Sequence, residues 1–312
     1  MDDIRSITAI EIADAMPFDA LIDSLAVSLS RPAVAPLRLR LSGRDGSELL
    51  VMPAMADRYT GVKILTVTAE NRDNGQPVIA GLFVLSDALT GKTLAIMNAS
   101  ELTARRTAAV SALASRALSP PGARRLLIIG TGHLAPYLAE AHAAVRPIET
   151  IQVWGRSPAK AERCREAIRD RLPAAEVTIA SDLPHAVSNA DIISAATRAT
   201  APLISGGWVS PGTHIDLVGG YRPDMREIDD AGIRAAMIWV DTLEGALAEA
   251  GDLRSPIERG IIGNDAILGD IGALLAAPGP RRANAITLFK SVGSALSDLA
   301  AAELVWEALR EH

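Results

Sequence analysis

A short glycine-containing loop constrains the fold of this chain more than any other feature. The string Gly130-Thr-Gly132-His-Leu-Ala135 directly follows the apolar run at 125–129 and precedes a helical pattern. In such a strand–turn–helix unit the first glycine permits a tight turn, and the second lets the backbone approach a pyrophosphate. The loop therefore predicts a dinucleotide-binding α/β domain. Its cofactor-binding candidates are Gly130, Thr131, Gly132, His133 and Leu134.

From residue 119 onwards, apolar segments alternate with helical patterns. The predicted strands lie near 125–130, 149–155, 176–181, 190–197, 213–219 and 237–241. The predicted helices lie near 133–145, 158–172 and 183–188. Such alternation is typical of a parallel sheet, because parallel strands need a crossover connection that is usually a helix. The fold class expected here is therefore α/β, a Rossmann-type doubly wound parallel sheet.

The part of the chain before residue 119 has a different pattern. Short alternating runs separated by turn residues predict a mostly antiparallel sheet, and they lie at 37–41, 49–52, 62–67 and 79–85. The string Ser119-Pro-Pro-Gly122 marks a break, and a last helical pattern over 293–310 is expected to return to the first domain. We predict a mixed α+β domain of residues 1–118, completed by 293–312, and a Rossmann domain of 119–292.

The residues after the second Rossmann strand bear on the choice of cofactor. Sites for NAD usually place an Asp or Glu here to bond the ribose 2′-OH, but this chain reads Trp154-Gly-Arg156-Ser157-Pro158. The guanidinium of Arg156 and the hydroxyl of Ser157 are donors suited to a 2′-phosphate. NADPH is therefore the expected cofactor, with NADH a weaker one. In the alternative interpretation Arg156 is a surface charge and Ser157 only a helix cap.

Composition and charge argue against several other classes of partner. The 312 residues include 37 acidic and 31 basic side chains, a net charge of −6 that does not favour nucleic acid. Cys164 is the single cysteine and the five histidines are scattered, so we expect neither a disulfide nor a metal site. The acidic N-terminus and the absence of ~18 consecutive apolar residues predict no signal peptide and no membrane span. We expect a cytoplasmic protein that acts on a small molecule.

Several cations of the first domain lie among apolar residues. Lys63 interrupts the apolar run at 62–67, so it must lie on an edge strand, extend its ammonium group to the surface or meet an anion. Arg38 and Arg40 lie two apart and share one face of a strand, which faces either solvent or a ligand. Arg105 and Arg106 lie in a helical run of small residues, where one can face solvent and the other a ligand.

Motifs in a characteristic order cover nearly the whole chain. They are Met52-Pro-Ala, Gly61-Val-Lys63, Gly81 to Asp87 followed by Thr90-Gly91, Leu102-Thr-Ala-Arg-Arg-Thr-Ala-Ala, the Gly130 loop, Gly212-Thr-His-Ile-Asp216 and Thr287-Leu-Phe-Lys-Ser-Val-Gly293. In this order they resemble the ornithine cyclodeaminase/mu-crystallin family. That family pairs a dinucleotide-binding domain with a mixed domain built from both chain ends, through which homodimers form. The resemblance implies both features here.

The resemblance also implies roles for individual residues. The family holds its substrate carboxylate with a lysine and two arginines, which Lys63, Arg106 and Arg38 match, with Arg40 as an alternative to Arg38. Lys63 is also the catalytic candidate, because it or a bound water can protonate the substrate. The other substrate-binding candidates are Met52, Tyr221, Val292 and Gly293. The further cofactor-binding candidates are Thr107, Arg156, Ser157, Thr197 and Val218.

One position distinguishes activities within the family. Its cyclodeaminases have an Asp in a Gly-Asp-x-Pro-Gly-Lys string, associated with the distal amine of the substrate, whereas this chain has Tyr221 there. The string from Asp216 to Glu227 instead resembles the family's cyclic-ketimine reductases. The resemblance implies NADPH-dependent reduction of Δ1-pyrroline-2-carboxylate or Δ1-piperideine-2-carboxylate to L-proline or L-pipecolate. The alternatives are ornithine cyclodeaminase, alanine dehydrogenase and a non-enzymatic, mu-crystallin-like protein that binds a small molecule with NADP(H).

Overall fold

The protein consists of two compact units. A computed structural model describes residues 4–310, apart from 44–45, 73–75, 77 and 278–283. Unit 1 comprises Met1–Thr107 and Ser294–His312, and unit 2 comprises Ala108–Gly293. The division falls inside a long helix, Ala99–Leu118, whereas the sequence predicts a domain boundary just after that helix. The boundary at 118/119 stays a prediction.

The two units differ in the order of their strands and helices. The strands of unit 1 are β1 (Arg5–Ile7), β2 (Leu39–Ser42), β3 (Glu48–Met55), β4 (Tyr59–Val67), β5 (Ile79–Asp87) and β6 (Thr93–Asn98). The strands of unit 2 are β7 (Arg125–Ile129), β8 (Thr150–Trp154), β9 (Glu176–Ile179), β10 (Ile192–Ala195), β11 (His214–Leu217), β12 (Met237–Val240), β13 (Ile267–Asp270) and β14 (Thr287–Lys290). The helices are α1 (Ala9–Ala15), α2 (Phe18–Ser28), α3 (Ala99–Leu118), α4 (Ala135–Val145), α5 (Pro158–Arg171), α6 (Leu183–Asn189), α7 (Asp230–Ala235), α8 (Leu243–Glu249), α9 (Gly251–Glu258), α10 (Ile271–Ala276) and α11 (Ala295–Arg310).

Unit 1 is built on a six-stranded sheet in the order β1-β6-β5-β4-β3-β2. Neighbouring strands are antiparallel except β1 and β6, which are parallel. Because successive side chains point to opposite faces, one face carries buried residues such as Met52, Leu65 and Phe83. Helix α11 packs against β3, β4 and β5. The antiparallel sheet predicted from the alternating runs is confirmed.

The other face of this sheet is apolar and exposed. Val51 pairs with Leu39 on one side and Ile64 on the other, and Ile64 pairs with Leu82, so these four form a row across the sheet. Leu39, Ile64 and Leu82 expose 54%, 40% and 50% of their surface. A contiguous apolar row differs from scattered surface leucines, because extended apolar patches mark interaction surfaces.

Unit 2 is built on an eight-stranded sheet in the order β13-β12-β14-β11-β10-β7-β8-β9. All of its strand pairs are parallel, so the predicted doubly wound sheet is confirmed. The strand order reverses between β7 and β10. In open sheets of this kind, ligands bind outside the carboxyl ends of the strands at such a reversal. The glycine loop follows β7 and therefore lies at this place.

Local signals in the sequence explain where several helices begin. Pro136 and Pro158 occupy the first turns of α4 and α5, where a proline sacrifices no hydrogen bond. Asp182 caps α6 by accepting the backbone N–H of His185 at 3.2 Å. None of the helices in the described ranges combines the length and apolar character that a bilayer-spanning segment needs.

Candidate functional site

The glycine loop after β7 has the geometry of a dinucleotide-binding turn. Gly130 has φ +115°, and a Cβ there would lie 2.6 Å from the carbonyl oxygen of Ala196, so only glycine fits. A Cβ on Gly132 would meet no atom within 4 Å, which leaves open space beside the loop backbone. All five loop residues from Gly130 to Leu134 are exposed or half-buried. This cradle at the start of α4 fits a pyrophosphate.

The turn after β8 packs against the glycine loop. A Cβ on Gly155 would come within 2.6 Å of the Thr131 side chain. Arg156 is exposed and makes no hydrogen bond or ion pair with any residue that the structure describes. Ser157 is the N-cap residue of α5, but its side chain makes no capping hydrogen bond. A guanidinium and a hydroxyl group are therefore available as donors beside the loop.

Two further cofactor candidates lie at the carboxyl ends of β10 and β11. The backbone N–H of Val218 donates to the carbonyl of Ala195 at 2.8 Å. The backbone N–H of Thr197 donates to Oε1 of the buried Glu227 at 2.6 Å. Oε2 of the same carboxylate accepts the N–H of Gly219 at 2.8 Å. Glu227, which the sequence analysis does not single out, thus links the two loops.

A second buried carboxylate fixes the turn after β14. Oδ2 of Asp241 accepts the backbone N–H groups of Val292 at 2.9 Å and Gly293 at 2.6 Å. It also accepts the hydroxyl of Ser291 at 2.9 Å. Gly293 has φ +89°, which favours glycine at this position. Asp241 follows β12 and is not among the residues predicted from the sequence.

Tyr221 lies in the loop after β11. It is half-buried and packs against the apolar core of unit 2. Its backbone N–H donates to the carbonyl of Gly219 at 3.1 Å. The phenol hydroxyl makes no hydrogen bond within the part of the chain that the structure describes. This position therefore presents an aromatic ring and no carboxylate.

Lys63 lies in the interior of unit 1 and meets an anion. It belongs to β4, which pairs with β3 and β5, so the edge-strand interpretation is wrong. The residue is only 1% exposed. Its Nζ donates to Oδ1 of Asp298 on α11 at 2.8 Å and lies 2.7 Å from Oδ2. The lysine that interrupts an apolar run is therefore compensated by a buried carboxylate from the far end of the sequence.

Arg106 shares the same carboxylate. Its Nε donates to Oδ1 of Asp298 at 2.7 Å, and the side chain is 5% exposed. The two terminal nitrogens of this guanidinium have no protein partner among the described residues. Two cations thus face one carboxylate, and a nearly buried fork of donors is left for another group. We call Lys63, Arg106 and Asp298 the Lys63 cluster.

The electrostatics of the Lys63 cluster show its excess of positive charge. Burial and the neighbouring Arg106 lower the pKa of Lys63 to about 7, although Asp298 acts in the opposite direction. Burial acts to raise the pKa of Asp298, but Arg106 and Lys63 hold it below its ordinary value. Asp298 therefore stays ionised, and Lys63 changes charge near neutral pH.

Arg38 and Arg40 have different environments in the structure. Arg40 pairs with Glu48 at 3.2 Å, whereas the charge of Arg38 acts on Lys63 and helps to lower its pKa. This arrangement favours Arg38 as the third cation. Met52 is the cross-strand partner of Lys63 on β3 and is buried.

The adjacent arginines of α3 also have different environments. Arg105 pairs with Glu101 at 2.8 Å, donates to the carbonyl of Met16 at 3.1 Å and lies over the ring of Phe18. Arg105 is therefore used mainly by protein partners, and it ties α3 to the segment before α2. Thr107, the next residue after Arg106, is buried.

The predicted site residues are divided between the two units. Unit 1 contains Arg38, Met52, Lys63, Arg106 and Thr107. Unit 2 contains Gly130, Thr131, Gly132, His133, Leu134, Arg156, Ser157, Thr197, Val218, Tyr221, Val292 and Gly293. Among the residues that the structure describes, no group of three or more His, Cys, Asp or Glu side chains is placed to hold a metal ion.

Asp298 is not among the residues predicted from the sequence, although a weak signal for it is present. Asp298 is a fully buried acid on α11, beside the buried apolar residues Leu299 and Ala300. A carboxylate is rarely buried without a partner, so an acid in the apolar stripe of a helix indicates a buried cation elsewhere. That signal does not identify the cation.

Comparisons with known proteins agree with this geometry. The sequence pattern of the ornithine cyclodeaminase/mu-crystallin family matches residues 7–312. The Δ1-pyrroline-2-carboxylate reductase of Colwellia psychrerythraea is 35% identical over 316 residues, covering 99% of this chain and 100% of that protein. The reductase of the same name from Paracoccus denitrificans is 41% identical over 249 residues, 78% of each protein.

A solved structure extends the comparison to three dimensions. Δ1-Pyrroline-2-carboxylate reductase of Thermococcus litoralis, in complex with NADH and L-proline, has a TM-score of 0.94 and 30% identity. The match covers 98% of each chain. The pattern match, the sequence relatives and this shared fold lead to one conclusion: the chain belongs to the ornithine cyclodeaminase/mu-crystallin family.

Proposed function

We propose that this protein reduces cyclic ketimines with NADPH, converting Δ1-pyrroline-2-carboxylate, Δ1-piperideine-2-carboxylate or both to L-proline and L-pipecolate. In coarser terms it is an NAD(P)H-dependent oxidoreductase that acts on imines, as its relatives named Δ1-pyrroline-2-carboxylate reductase indicate. The finer proposal, which names substrate and cofactor, rests on the side chains of each unit.

One observation carries the proposal: the terminal nitrogens of the nearly buried Arg106 lack a protein partner within the described residues. An excess positive charge in a buried place costs free energy unless an anion meets it. A planar guanidinium fork matches a carboxylate, which can accept two parallel hydrogen bonds. The Lys63 cluster therefore suits a small substrate with a carboxylate, and both ketimines have one.

Reduction of a C=N bond requires a hydride at carbon and a proton at nitrogen. The reduced nicotinamide supplies the hydride when it is bound. In unit 1, Arg106 and Arg38 hold the carboxylate and thereby orient the ring. Lys63 has a pKa near 7, so its ammonium group can donate a proton at neutral pH, directly or through a bound water.

Arg156 supports the proposed preference for NADPH. This exposed arginine and the uncapped hydroxyl of Ser157 lie next to the glycine loop, and this turn contains no acid. An acid would repel a 2′-phosphate, whereas a guanidinium forms charge-assisted hydrogen bonds with it.

Tyr221 favours reduction over cyclodeamination. Ring closure of an open-chain diamino acid requires its distal ammonium group to be held, for which a carboxylate is suited. The aromatic ring of Tyr221 offers no carboxylate, but it can pack against the apolar carbons of a preformed ring. We therefore expect a reductase without cyclodeaminase activity.

The exposed row of Leu39, Val51, Ile64 and Leu82 supports a homodimer formed by unit 1. Burying an apolar sheet face against a second copy removes it from water. Light scattering should give twice the monomer mass for the wild type and a lower mass for Ile64→Glu. A monomeric wild type would contradict the proposed dimer.

The proposed function is tested by following NADPH absorbance with each ketimine, and with NADH in parallel. We expect consumption of NADPH with at least one ketimine and no ammonia release from L-ornithine with NAD. Ammonia release at a rate comparable with ketimine reduction would contradict the proposal. Consumption of the reduced cofactor with pyruvate and ammonium alone would indicate alanine dehydrogenase instead.

A further inference from the structure

Unit 2 contains a second buried lysine, which the proposed reaction does not use. Lys290 is the last residue of β14 and is fully buried. Its Nζ lies 3.2 Å from Oδ2 of Asp252 and 4.0 Å from Oε2 of Glu227. Both acids are also fully buried. We call these three residues the Lys290 cluster, in which two carboxylates share one ammonium group.

Backbone N–H groups occupy the remaining oxygens of the two carboxylates. Oδ1 of Asp252 accepts the N–H groups of Glu227 at 2.7 Å and Ile228 at 3.2 Å. Glu227 in turn accepts the N–H groups of Thr197 at 2.6 Å and Gly219 at 2.8 Å. A continuous set of hydrogen bonds therefore runs from α9 through Glu227 to the loops after β10 and β11.

The loop after β11 lies directly on this cluster. A Cβ on Gly219 would lie 2.0 Å from the carbonyl oxygen of Thr197 and 2.5 Å from Oε1 of Glu227. A Cβ on Gly220 would lie 2.7 Å from Oδ2 of Asp252. The two glycines permit a contact that no other residue allows, so the position of the carboxylates sets the position of the loop.

We propose that Glu227 is a positioning residue for the nicotinamide cofactor. Its carboxylate fixes the backbone of Thr197 and Gly219, and with them Val218, in the arrangement that binds the cofactor. Lys290 and Asp252 hold that carboxylate in place. The inference rests on the proposed function only in treating Thr197 and Val218 as cofactor-binding residues.

The charge balance of the cluster gives this role a pH dependence. Burial raises the pKa of Glu227 to about 7, although the charge of Lys290 acts to lower it, and the charge of Asp252 adds to the rise. The groups facing Glu227 are Lys290 on β14, Asp252 on α9 and the N–H groups of Thr197 and Gly219. When Glu227 is protonated at low pH, one of its oxygens becomes a donor. Either Thr197 or Gly219 then loses the acceptor of its backbone N–H group.

Glu227→Gln tests the role with little change of shape. The amide has one carbonyl oxygen, so only one of the two backbone N–H groups keeps its acceptor. We expect the Kd of NADPH, measured by its fluorescence, to rise about tenfold. Asp229→Asn is the control, because the Asp229 carboxylate caps α7 and accepts the N–H groups of Gly206 and Gly232 but makes no hydrogen bond to Thr197 or Gly219. The substitution removes the negative charge of that cap. The melting temperature of Asp229→Asn should fall, with the Kd of NADPH unchanged.

A pH series with NADH distinguishes positioning from a purely structural role. NADH is the probe because it lacks the 2′-phosphate, which itself titrates near pH ~6. The wild-type Kd of NADH should rise as the pH falls through about 7. Glu227→Gln should remove this dependence. Asp252→Asn should move the midpoint of the pH dependence to lower pH, because one negative charge next to Glu227 is lost. This variant tests the role if Glu227→Gln does not fold.

Two results would overturn the inference. One is a wild-type Kd of NADH that does not vary with pH. The other is a Glu227→Gln protein that is destabilised like Asp229→Asn but binds NADPH with an unchanged Kd. Cofactor binding is measured separately from turnover, so a wild type that binds NADPH and reduces no ketimine contradicts the proposed function alone. A wild type that binds neither cofactor would overturn both proposals.

Discussion

Each unit of this protein buries one lysine completely, but the two lysines lie in opposite charge balances. In the Lys63 cluster two cations, Lys63 and Arg106, face the single carboxylate of Asp298. In the Lys290 cluster the single ammonium group of Lys290 faces two carboxylates. A buried charge without a counter-charge is costly, so each cluster needs one more ion of the right sign. We propose that an anionic ligand meets that need in unit 1 and that a proton on Glu227 meets it in unit 2.

The hydrogen bonds of the two clusters differ in the same way. Lys63 and Arg106 bond only to the side chain of Asp298, and the terminal nitrogens of Arg106 have no protein partner within the described residues. The carboxylates of unit 2 instead accept backbone N–H groups from the loops around them. Guanidinium nitrogens without a protein partner, in a cluster with excess positive charge, indicate an anionic ligand. Carboxylates that accept backbone N–H groups indicate loops that are held in place.

The largest expected effect is on stability, and it should differ between the two lysines. Lys290→Met leaves two buried carboxylates without a cation, so we expect a loss of about 3–5 kcal/mol in the free energy of unfolding. Lys63→Met leaves Arg106 and Asp298 as a one-to-one pair, so its loss should be below ~1 kcal/mol. Urea unfolding of both variants measures the difference. Equal losses of unfolding free energy in Lys63→Met and Lys290→Met would contradict the claim that the two clusters have opposite charge balances.

Lys63→Met should affect activity much more than it affects stability. Lys63→Met removes the proposed proton donor and one cation of the cluster proposed to bind the carboxylate, so kcat/KM for the ketimine should fall about 30- to 1000-fold, equivalent to roughly 2–4 kcal/mol. Its Kd for NADPH should stay near the wild-type value, because Lys63 is not among the residues expected to bind the cofactor. A Lys63→Met enzyme with normal kcat/KM would show that the lysine is only structural.

The two clusters should also give opposite slopes of stability against pH. Lys63 has a folded pKa of about 7, below its ordinary 10.5, so unfolding takes up a proton between these values and its contribution to stability rises with pH. Glu227 has a folded pKa of about 7, above its ordinary 4.5, so unfolding releases a proton in that window and its contribution falls as the pH rises.

Unfolding measured across pH in matched variants isolates these two contributions. As the pH increases above ~7, the stability of Lys63→Met should rise less than that of the wild type. As the pH increases towards ~7 from below, the stability of Glu227→Gln should fall less than that of the wild type. Neither variant should affect the other window. A variant that changes both windows equally would indicate that the two clusters are not independent.

The smallest expected effect belongs to a cation outside both clusters. Arg156 is exposed, so Arg156→Ala should leave stability nearly unchanged. We expect the wild type to prefer NADPH over NADH at least tenfold in kcat/KM, equivalent to about 1.4 kcal/mol. The substitution should remove most of that preference and leave the kinetics with NADH nearly unchanged. Equal use of both cofactors by the wild type would contradict the assignment.

Local patterns were sufficient to predict much of the fold. The loop from Gly130 to Ala135 follows its strand directly, so the order of strand, turn and helix could be read within one short segment. The alternation of Leu37 to Leu41 likewise predicted a strand. It did not predict which side of that strand faces inward: Leu39 and Leu41 are exposed, and Arg40 is half-buried. That choice depends on what the rest of unit 1 places against each face.

The buried charge clusters could not be predicted from the sequence in the same way. Lys63 and Asp298 are 235 residues apart, and Lys290 meets one acid from α9 and one from the loop after β11. The family resemblance identified Lys63 and Arg106 as candidates, but it gave no partner for either. The carboxylates that complete both clusters, Asp298 and Glu227, required the three-dimensional arrangement.

Adjacent residues on α3 provide the most direct test of the claim that the Lys63 cluster binds the substrate carboxylate. Arg105 pairs with Glu101, and Arg106 offers its terminal nitrogens to a ligand, so Arg105→Ala is a matched control for Arg106→Ala. The measurement is kcat/KM with Δ1-pyrroline-2-carboxylate and saturating NADPH. We predict a fall of about 30- to 1000-fold for Arg106→Ala and a change of less than about threefold for Arg105→Ala. Equal effects of the two substitutions, or normal kinetics of folded Arg106→Ala, would contradict the account.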